Sequence, residues 1–308
     1  MKRLILYHND ADGQCAAAIA ARWNTDLGKI IPQCEAVDYG EAPPWEILNA
    51  LGEHDSLWIV DFSYDKGQML KLIQKLGDRL HWFDHHKTAI KDLESLEGIE
   101  EVQGIRRVDT AACLLVWDFC HPGRKASLAV KYIADRDVWR FEHGDKTRFF
   151  YEKFLVEEST HPLAPVWDKY FEMTDWHYDA YLMVGEELWR GRRQMLKDIA
   201  RRIGYECAFL PDRQRLEQKT DATPEMVQAS EGAPPLSVLM INYPGSGDMG
   251  QVVKDIGYDL AWLYHMEYRH GQLVRVNSLY SDKVDVGEIA KGHGGGGHKG
   301  AAGFVEEM

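Results

Sequence analysis

Thiol chemistry is scarce in this chain. Its 5 cysteines, Cys15, Cys34, Cys113, Cys120 and Cys207, are odd in number and scattered, with no C-x-x-C pair. That excludes a disulfide framework, a paired-thiolate zinc site and a dithiol redox motif, and leaves reduced core residues as the expectation. Long hydrophobic runs are missing too: none approaches the roughly 20 residues that cross a bilayer, so no membrane association is expected. Met1-Lys2-Arg3 places positive charge first, but the apolar stretch Leu4 to Tyr7 stops at His8-Asn9-Asp10. This is too short for a secretory core, and a cytoplasmic location is expected. Positive charge is also in deficit, with 36 Lys+Arg against 49 Asp+Glu and a formal net charge of -13. Long duplex nucleic acid, gripped mainly by basic side chains on phosphates, is therefore not an expected partner. A phosphate substrate would need positive charge supplied locally.

What is present suits a folded α/β protein. At 308 residues and 45% apolar composition the chain can form two cores without staples. Short apolar runs alternate with helical patterns over the first 140 or so residues, the signature of strand-helix units around a mostly parallel sheet flanked by helices. Strands are predicted at Leu4 to Tyr7, Ser56 to Phe62 and Leu80 to Phe83, with helices at Cys15 to Trp23, Asp65 to Leu76 and, N-capped by Asp109-Thr110, Ala111 to Phe119. Another helix begins at Leu128. Phe149 to Tyr178 reads as mixed helix and loop, and Trp176 to Ile203 as a long amphipathic connecting helix. Ala208 to Pro235, with Pro211-Asp212 and Pro234-Pro235, reads as loops or edge strands. A smaller C-terminal α/β domain follows, with strands at Leu236 to Asn242, Asp259 to Tyr268 and Leu273 to Tyr280, and a helix near Gln251 to Ile256.

The chemistry-bearing residues stand at the ends of predicted strands. His8, Asp10 and Asp12 form H-x-D-x-D-G after the first strand; Asp61 ends Leu57-Trp58-Ile59-Val60; Asp84-His85-His86 ends Leu80 to Phe83. In an open parallel sheet the carboxyl ends of strands share one edge, where sites are normally built. A further candidate, Asp135, lies in Ile133-Ala134-Asp135-Arg136-Asp137. Carboxylates gathered in one cleft repel and protonate unless a cation holds them ionised. Oxygen-rich sets with a few imidazoles suit Mn²⁺ first, then Mg²⁺, and the number of ligands suggests a pair of ions serving phosphate-ester hydrolysis. Plain alternatives exist for single groups: Asp61 or Asp135 as a turn or helix cap, and H-x-D-x-D-G as a capped strand-to-helix turn. Asp84-His85-His86 resists such a reading, because three polar groups interrupt an apolar run. His54, His81, His121, His161 and His265 have no partner pattern and read as surface or core residues. Near the C-terminus, Gly294-Gly295-Gly296-Gly297-His298-Lys299-Gly300 could bring backbone amides close to an anion.

Taken together, His8 to Gly13, Asp61, Asp84-His85-His86, Asp135 and the G-G-G-H-K-G-A-A-G of Gly295 to Gly303 resemble the DHH/DHHA1 phosphoesterases, in the family's order and from residue 8 to residue 303. The nearest likeness is to the oligoribonuclease-like branch, which hydrolyses short RNA and linear dinucleotides such as pGpG. The resemblance implies a DHH metal-binding catalytic domain at 1–185, a connecting helix at 186–204 and a DHHA1 substrate-binding domain at 205–308, with the cleft between the domains. It implies two Mn²⁺ ions, replaceable by Mg²⁺ or Co²⁺. His8 and Asp10 would bind one ion, Asp12, His85 and Asp135 the other, and Asp61 both. His86 would meet the scissile phosphate or leaving group, Asp84 would orient the histidines, and a metal-bridging hydroxide would attack.

Gly295, Gly296, Gly297 and His298 would hold the substrate's far end. Two departures stand out. His8 is two residues before Asp10 where many members have four, and Ser278-Leu279-Tyr280-Ser281 stands where many have S-L-R-S, leaving Arg275 or Tyr280 for that contact. The expected partners are short RNA or a dinucleotide, and a homodimer is compatible with the sequence. A nucleotide bisphosphate phosphatase, an exopolyphosphatase and a non-catalytic nucleotide sensor are the alternative functions.

Overall fold

Two periodicities organise the chain. In a computed structural model that describes residues 1–308 except 24–29, 39, 211–214, 219–234 and 270, it divides into two units, Met1–Trp189 and Arg190–Met308. The first contains β1 (Lys2–His8), α1 (Ala11–Arg22), β2 (Ile31–Val37), α2 (Trp45–Asn49), β3 (Ser56–Val60), α3 (Lys66–Leu76), β4 (Leu80–Phe83) and α4 (Lys87–Leu93). It continues with α5 (Ala112–Cys120), α6 (Leu128–Asp137), α7 (Asp145–Phe154), α8 (Val166–Glu172) and the start of α9 (Asp175–Ile203). Its strands are all parallel, in the order β2-β1-β3-β4.

Strand alternation decides what each side chain meets. On β1, Ile5 and Tyr7 join Trp58, Val60 and Phe83 in a core shared with α1, α5 and α6. Leu4 and Leu6 join Leu57, Ile59 and Trp82 in a second core, against α2, α3 and α4. A sheet covered on both faces buries its strands throughout, which is why they read as continuous apolar runs. Cys15 to Ala21 of α1 are all buried, and their small side chains let the helix lie close to α5 and the sheet. Arg3 is buried too. Its guanidinium donates to the carbonyls of Ala20 (2.6 Å) and Trp23 (2.7 Å), which the end of α1 leaves without helical partners. His81 stacks on Trp58 at 4.5 Å, and burial lowers its pKa to about 4, so it serves as a neutral core ring.

The second unit contains the end of α9, β5 (Tyr205–Leu210), β6 (Arg215–Gln218), β7 (Leu236–Asn242), α10 (Gly247–Asp255), β8 (Leu260–Arg269), β9 (Gln272–Ser281), α11 (Val286–Gly292), β10 (Gly296–His298) and β11 (Ala301–Glu307). Its sheet runs β10-β11-β9-β8-β7-β5-β6, antiparallel throughout except for β7 beside β8. Val286, Ile289 and Ala290 of α11 cover one face; α10, with Leu196 and Ala200 of α9, covers the other. The architecture is thus α/β, a parallel four-stranded sheet flanked by helices followed by a second, mixed sheet. Among the described residues no helix is long and apolar enough to cross a membrane.

Several details differ from the sequence reading. β2, whose alternating Ile31 to Val37 pattern includes Pro32 and Glu35, was not anticipated. The polar stretch around Ala208 to Pro235 contributes β5 and β6, while most of it, including Pro211-Asp212 and Pro234, lies outside the described residues. Asp109-Thr110 does not cap α5: the N-cap is Ala111, which has no side-chain bond. The first amides of α5 are served from elsewhere, as described below.

Gly13 shows how tightly the β1-α1 turn is closed. A Cβ at this position would lie 2.1 Å from the His8 carbonyl oxygen, which already accepts the Asp10 amide at 2.9 Å. Gly13→Ala should therefore destabilise the chain by about 1–3 kcal/mol, the usual cost of overpacking. Thermal unfolding would register this as a fall of several degrees, and an unchanged melting temperature would contradict the close approach.

Candidate metal centre

Because β1, β3 and β4 are parallel, their carboxyl ends lie along one edge. His8 closes β1, Asp61 follows β3, and Asp84, His85 and His86 follow β4. The β1-α1 turn adds two carboxylates. Asp10 is the N-cap of α1: its Oδ1 accepts the Gly13 amide at 2.9 Å, and its Oδ2 lies 2.9 Å from His8 Nδ1. Asp12, buried in the first turn of α1, accepts the amides of Ala112 (2.7 Å) and Cys113 (2.9 Å), and so caps α5 from 100 residues away. Each oxygen of Asp12 keeps a second lone pair, and Oδ2 lies 3.9 Å from His85 Nε2.

Asp61 is the centre of the arrangement. Its backbone is left-handed, at φ 64°, and its amide donates to the Phe83 carbonyl at 2.9 Å. Asp is one of the few residues that tolerate this conformation. Although the residue is only 1% exposed, neither carboxylate oxygen accepts a hydrogen bond from any described residue. Oδ2 faces His8 Nδ1 at 3.8 Å, and Oδ1 faces His85 Nε2 at 3.2 Å. His85 Nε2 is also 3.4 Å from Asp137 Oδ2, another buried oxygen that accepts no hydrogen bond from the described residues.

These contacts define overlapping ligand sets whose donor atoms lie within 4.8 Å of one another: His8, Asp10 and Asp61; Asp12, His85 and Asp137; and Asp61, His85 and His86. Asp61 presents one oxygen to the His8 side and the other to the His85 side. The electrostatics point the same way. Burial, reinforced by the charge of Asp12, raises the Asp61 carboxyl well above the usual range, and burial with the charge of Asp12 does the same to Asp137. Burial also raises Asp12, against the attraction of His85. The neighbouring Asp10 and Asp61 carboxylates lift His8 to about 10. Without a cation the cluster retains protons; with one, the same oxygens and nitrogens become its ligands. Orphaned buried carboxylate oxygens and a mixed His/Asp donor set fit divalent ions of the Mn²⁺ or Mg²⁺ type. His8, Asp10 and Asp61 would hold one ion, and Asp12, Asp61, His85 and Asp137 the other.

Asp84 is fully buried, and its Oδ1 accepts the His86 amide at 2.9 Å and lies 2.8 Å from His86 Nδ1. It thus orients His86; no contact of Asp84 with the His85 ring is seen. The His85 and His86 rings lie 4.4 Å apart, and His86 is the more exposed.

Asp135, expected as a ligand, is not among these sets. Its carboxylate is taken up by the Glu142 amide (2.8 Å), the His143 amide (3.2 Å) and the Thr147 hydroxyl. Against the cost of burial these donors hold it below the usual carboxylate range. Asp137 stands at the edge instead. Helical spacing carries the signal that finds it: Asp137 is four residues beyond Ile133 and seven beyond Val130, both buried against the sheet, so it continues their face.

In the second unit, Gly296, Gly297 and His298 form the short exposed strand β10 against β11. Gly295 closely approaches the Gly303 carbonyl, where a Cβ would come within 2.2 Å. Arg275 is set apart from this loop. It pairs in register with Glu306, whereas Gly297 pairs with Ala302, about 13 Å along β11. Its guanidinium lies over the Tyr264 ring, 4.7 Å from the centroid, with Nε 3.6 Å from Glu306. Tyr280 is the β9 residue level with the loop, opposite Ala301.

No family model matches the chain. Uncharacterized protein R106 of Acanthamoeba polyphaga mimivirus is 24% identical over 256 residues, covering 80% of this chain and 52% of that protein, so the chain spans about half the length of this relative. Among solved structures, an uncharacterized protein from Helicobacter pylori G27 aligns over 100% of this chain and 93% of its own, with TM-score 0.43 and 16% identity. A pGpG-specific phosphodiesterase, PggH, from Vibrio cholerae aligns over 100% and 94%, with TM-score 0.47 and 14% identity. An exopolyphosphatase-related protein from Bacteroides fragilis aligns over 98% and 86%, with TM-score 0.42 and 11% identity. Overlaps at these scores assign neither activity nor substrate.

Asp61→Asn keeps the shape and the left-handed tolerance while removing the titratable group. The metal-free variant should melt no lower than the parent, since it no longer buries a carboxyl group crowded by those of Asp10, Asp12 and Asp137. Calorimetric titration with Mn²⁺ should show affinity reduced by about 100-fold or more, beyond the loss typical of residues that only support a ligand. Unchanged metal affinity would rule Asp61 out as a ligand.

Proposed function

We propose that this protein is a divalent-metal-dependent phosphoric ester hydrolase, specifically a Mn²⁺-dependent phosphodiesterase that cleaves short oligoribonucleotides or linear dinucleotides such as pGpG to nucleoside monophosphates. The observation that carries the reading is the Asp61 carboxylate, buried, without hydrogen-bond donors, and turned with one oxygen toward each of two His/Asp sets. Divalent ions held by these residues would supply Lewis-acid activation of water and neutralise charge on the entering and leaving oxygens.

The chain's own residues do the rest. His8, Asp10, Asp12, Asp61, His85 and Asp137 fix the ligand geometry, and the amides of Ala112 and Cys113 hold Asp12 in place. Asp84 grips His86 at Nδ1, so that Nε2 is the nitrogen that meets the scissile phosphate and donates a proton to the departing sugar oxygen. Water adds to phosphorus, the P–O bond to the leaving sugar breaks, and pGpG plus water yields two molecules of GMP. The net charge of -13 opposes long polyanions, whereas divalent ions held at the edge would attract a short one locally. Gly295, Gly296, Gly297 and His298, with Tyr280 level with them, are assigned to the far end of the substrate. Two domains, a cytoplasmic location and a homodimer belong to the same reading.

Phosphatase action on a nucleotide bisphosphate or on polyphosphate would use the same ligand sets, and a nucleotide sensor would use them without turnover. Hydrolysis of pGpG, a nucleoside 3′,5′-bisphosphate and polyphosphate, compared at equal Mn²⁺ with products identified by mass, separates these. The dinucleotide should be the fastest substrate and give GMP alone. An intact dinucleotide beside a consumed bisphosphate or polyphosphate would refute the phosphodiesterase reading, and ligand binding without turnover of any of the three would favour the sensor.

A further inference from the structure

The end of α6 carries a tryptophan where the backbone calls for glycine. The Trp139 amide donates to the Arg136 carbonyl at 3.2 Å, and the Arg140 amide donates to the Asp135 carbonyl at 3.1 Å. With φ 55° at Trp139, this is the paired-bond helix ending of the Schellman motif. Its left-handed position is usually glycine, because any side chain there crowds the following carbonyl. Phe141, two residues on, is also left-handed, at φ 53°. Such conformations persist only where the surroundings enforce them, and they gather at functional sites. Asp135 is the enforcing group: by accepting the amides of Glu142 and His143 and the Thr147 hydroxyl, it clamps the far end of the turn.

The turn displays an aromatic surface. Trp139 is 39% exposed. The Arg136 guanidinium lies 4.0 Å from the centroid of its ring, and Phe141 meets it edge-on at 5.0 Å and 85°. Phe141 is in turn covered by Arg148 at 3.9 Å. The indole is therefore braced by a cation and a second ring while much of it faces solvent. It is also close to the metal centre, because Asp137, whose Oδ2 is 3.4 Å from His85, is two residues away. Two backbone steps span at most about 7.6 Å between Cα atoms. A nucleobase stands one sugar from its phosphate, a separation comparable to that bound.

We infer that Trp139, backed by Arg136 and presented on the turn that Asp135 secures, is a stacking platform for a nucleobase of the substrate. The inference rests on the phosphodiesterase reading and adds to it the group that distinguishes a nucleotide from a bare phosphate ester. Every base offers a flat π-face, so this contact favours nucleotides over other phosphates without selecting one base.

The test uses the full chain loaded with Mn²⁺ and two probes, GMP and inorganic phosphate, whose binding is measured by calorimetry in the parent, Trp139→Gly and Trp139→Phe. Glycine suits the left-handed position, so Trp139→Gly should melt no lower than the parent. Its GMP affinity should fall roughly 5- to 150-fold, the range for loss of one stacked base, with phosphate affinity unchanged. Trp139→Phe should retain most of the GMP affinity. GMP binding unchanged in Trp139→Gly, or GMP and phosphate binding weakened equally, would overturn the platform. Because binding is read directly, a parent chain that binds GMP but hydrolyses no phosphodiester would sink the catalytic reading and leave this result to be judged separately.

Discussion

A buried carboxylate that makes no well-aligned hydrogen bond, with imidazoles near it and other carboxylates around it, is a constraint that folding alone would remove. Asp61 is held in that state by a left-handed backbone and by the bond from its amide to the Phe83 carbonyl at the end of the neighbouring strand. Burial and the charge of Asp12 both work against its ionised form. A divalent cation held by these groups would reverse that balance, turning like-charge repulsion into shared attraction. The ends of β1 and β4 are arranged around this group, with His8 on one side and His85 on the other.

The aspartates near this edge divide their labour in a consistent way. Asp10 caps α1 with one oxygen and meets His8 with the other. Asp12 holds the first amides of α5 while staying within reach of His85, so helix capping and ligand placement are performed by one side chain. On α6 the two tasks are separated: Asp135 secures the turn that follows the helix, and Asp137 faces the edge. The stability of α5 and of the turn after α6 is thereby coupled to the geometry of the centre.

Much of this was legible in the residue order, for identifiable reasons. The parallel sheet is legible because strands buried on both faces are apolar throughout, and polar groups interrupt such runs at Asp61 and Asp84-His85-His86. β2 escaped because Pro32 and Glu35 dilute its pattern and its burial is only partial. The cap of α5 escaped for another reason: Asp109-Thr110 satisfies the local rule, but the donors are met by Asp12, a contact no local window contains. Asp135 and Asp137 are alike as strings, and only the helical phase of α6 relative to the sheet tells them apart. Of the two residues expected to stand in for the S-L-R-S arginine, the register of β9 and β11 sets Arg275 against Glu306 and Tyr280 against Ala301. Backbone strain at Asp61 and Trp139 has no signature in composition at all.

The central claim is that one carboxylate joins two metal ions. Its most direct test is electron paramagnetic resonance of the protein titrated with Mn²⁺, with metal counted per chain. The account predicts two ions per chain and the multiline spectrum of an exchange-coupled pair, as expected for ions about 3.5–4 Å apart. A single ion per chain, or two with the spectrum of isolated Mn²⁺, would contradict it.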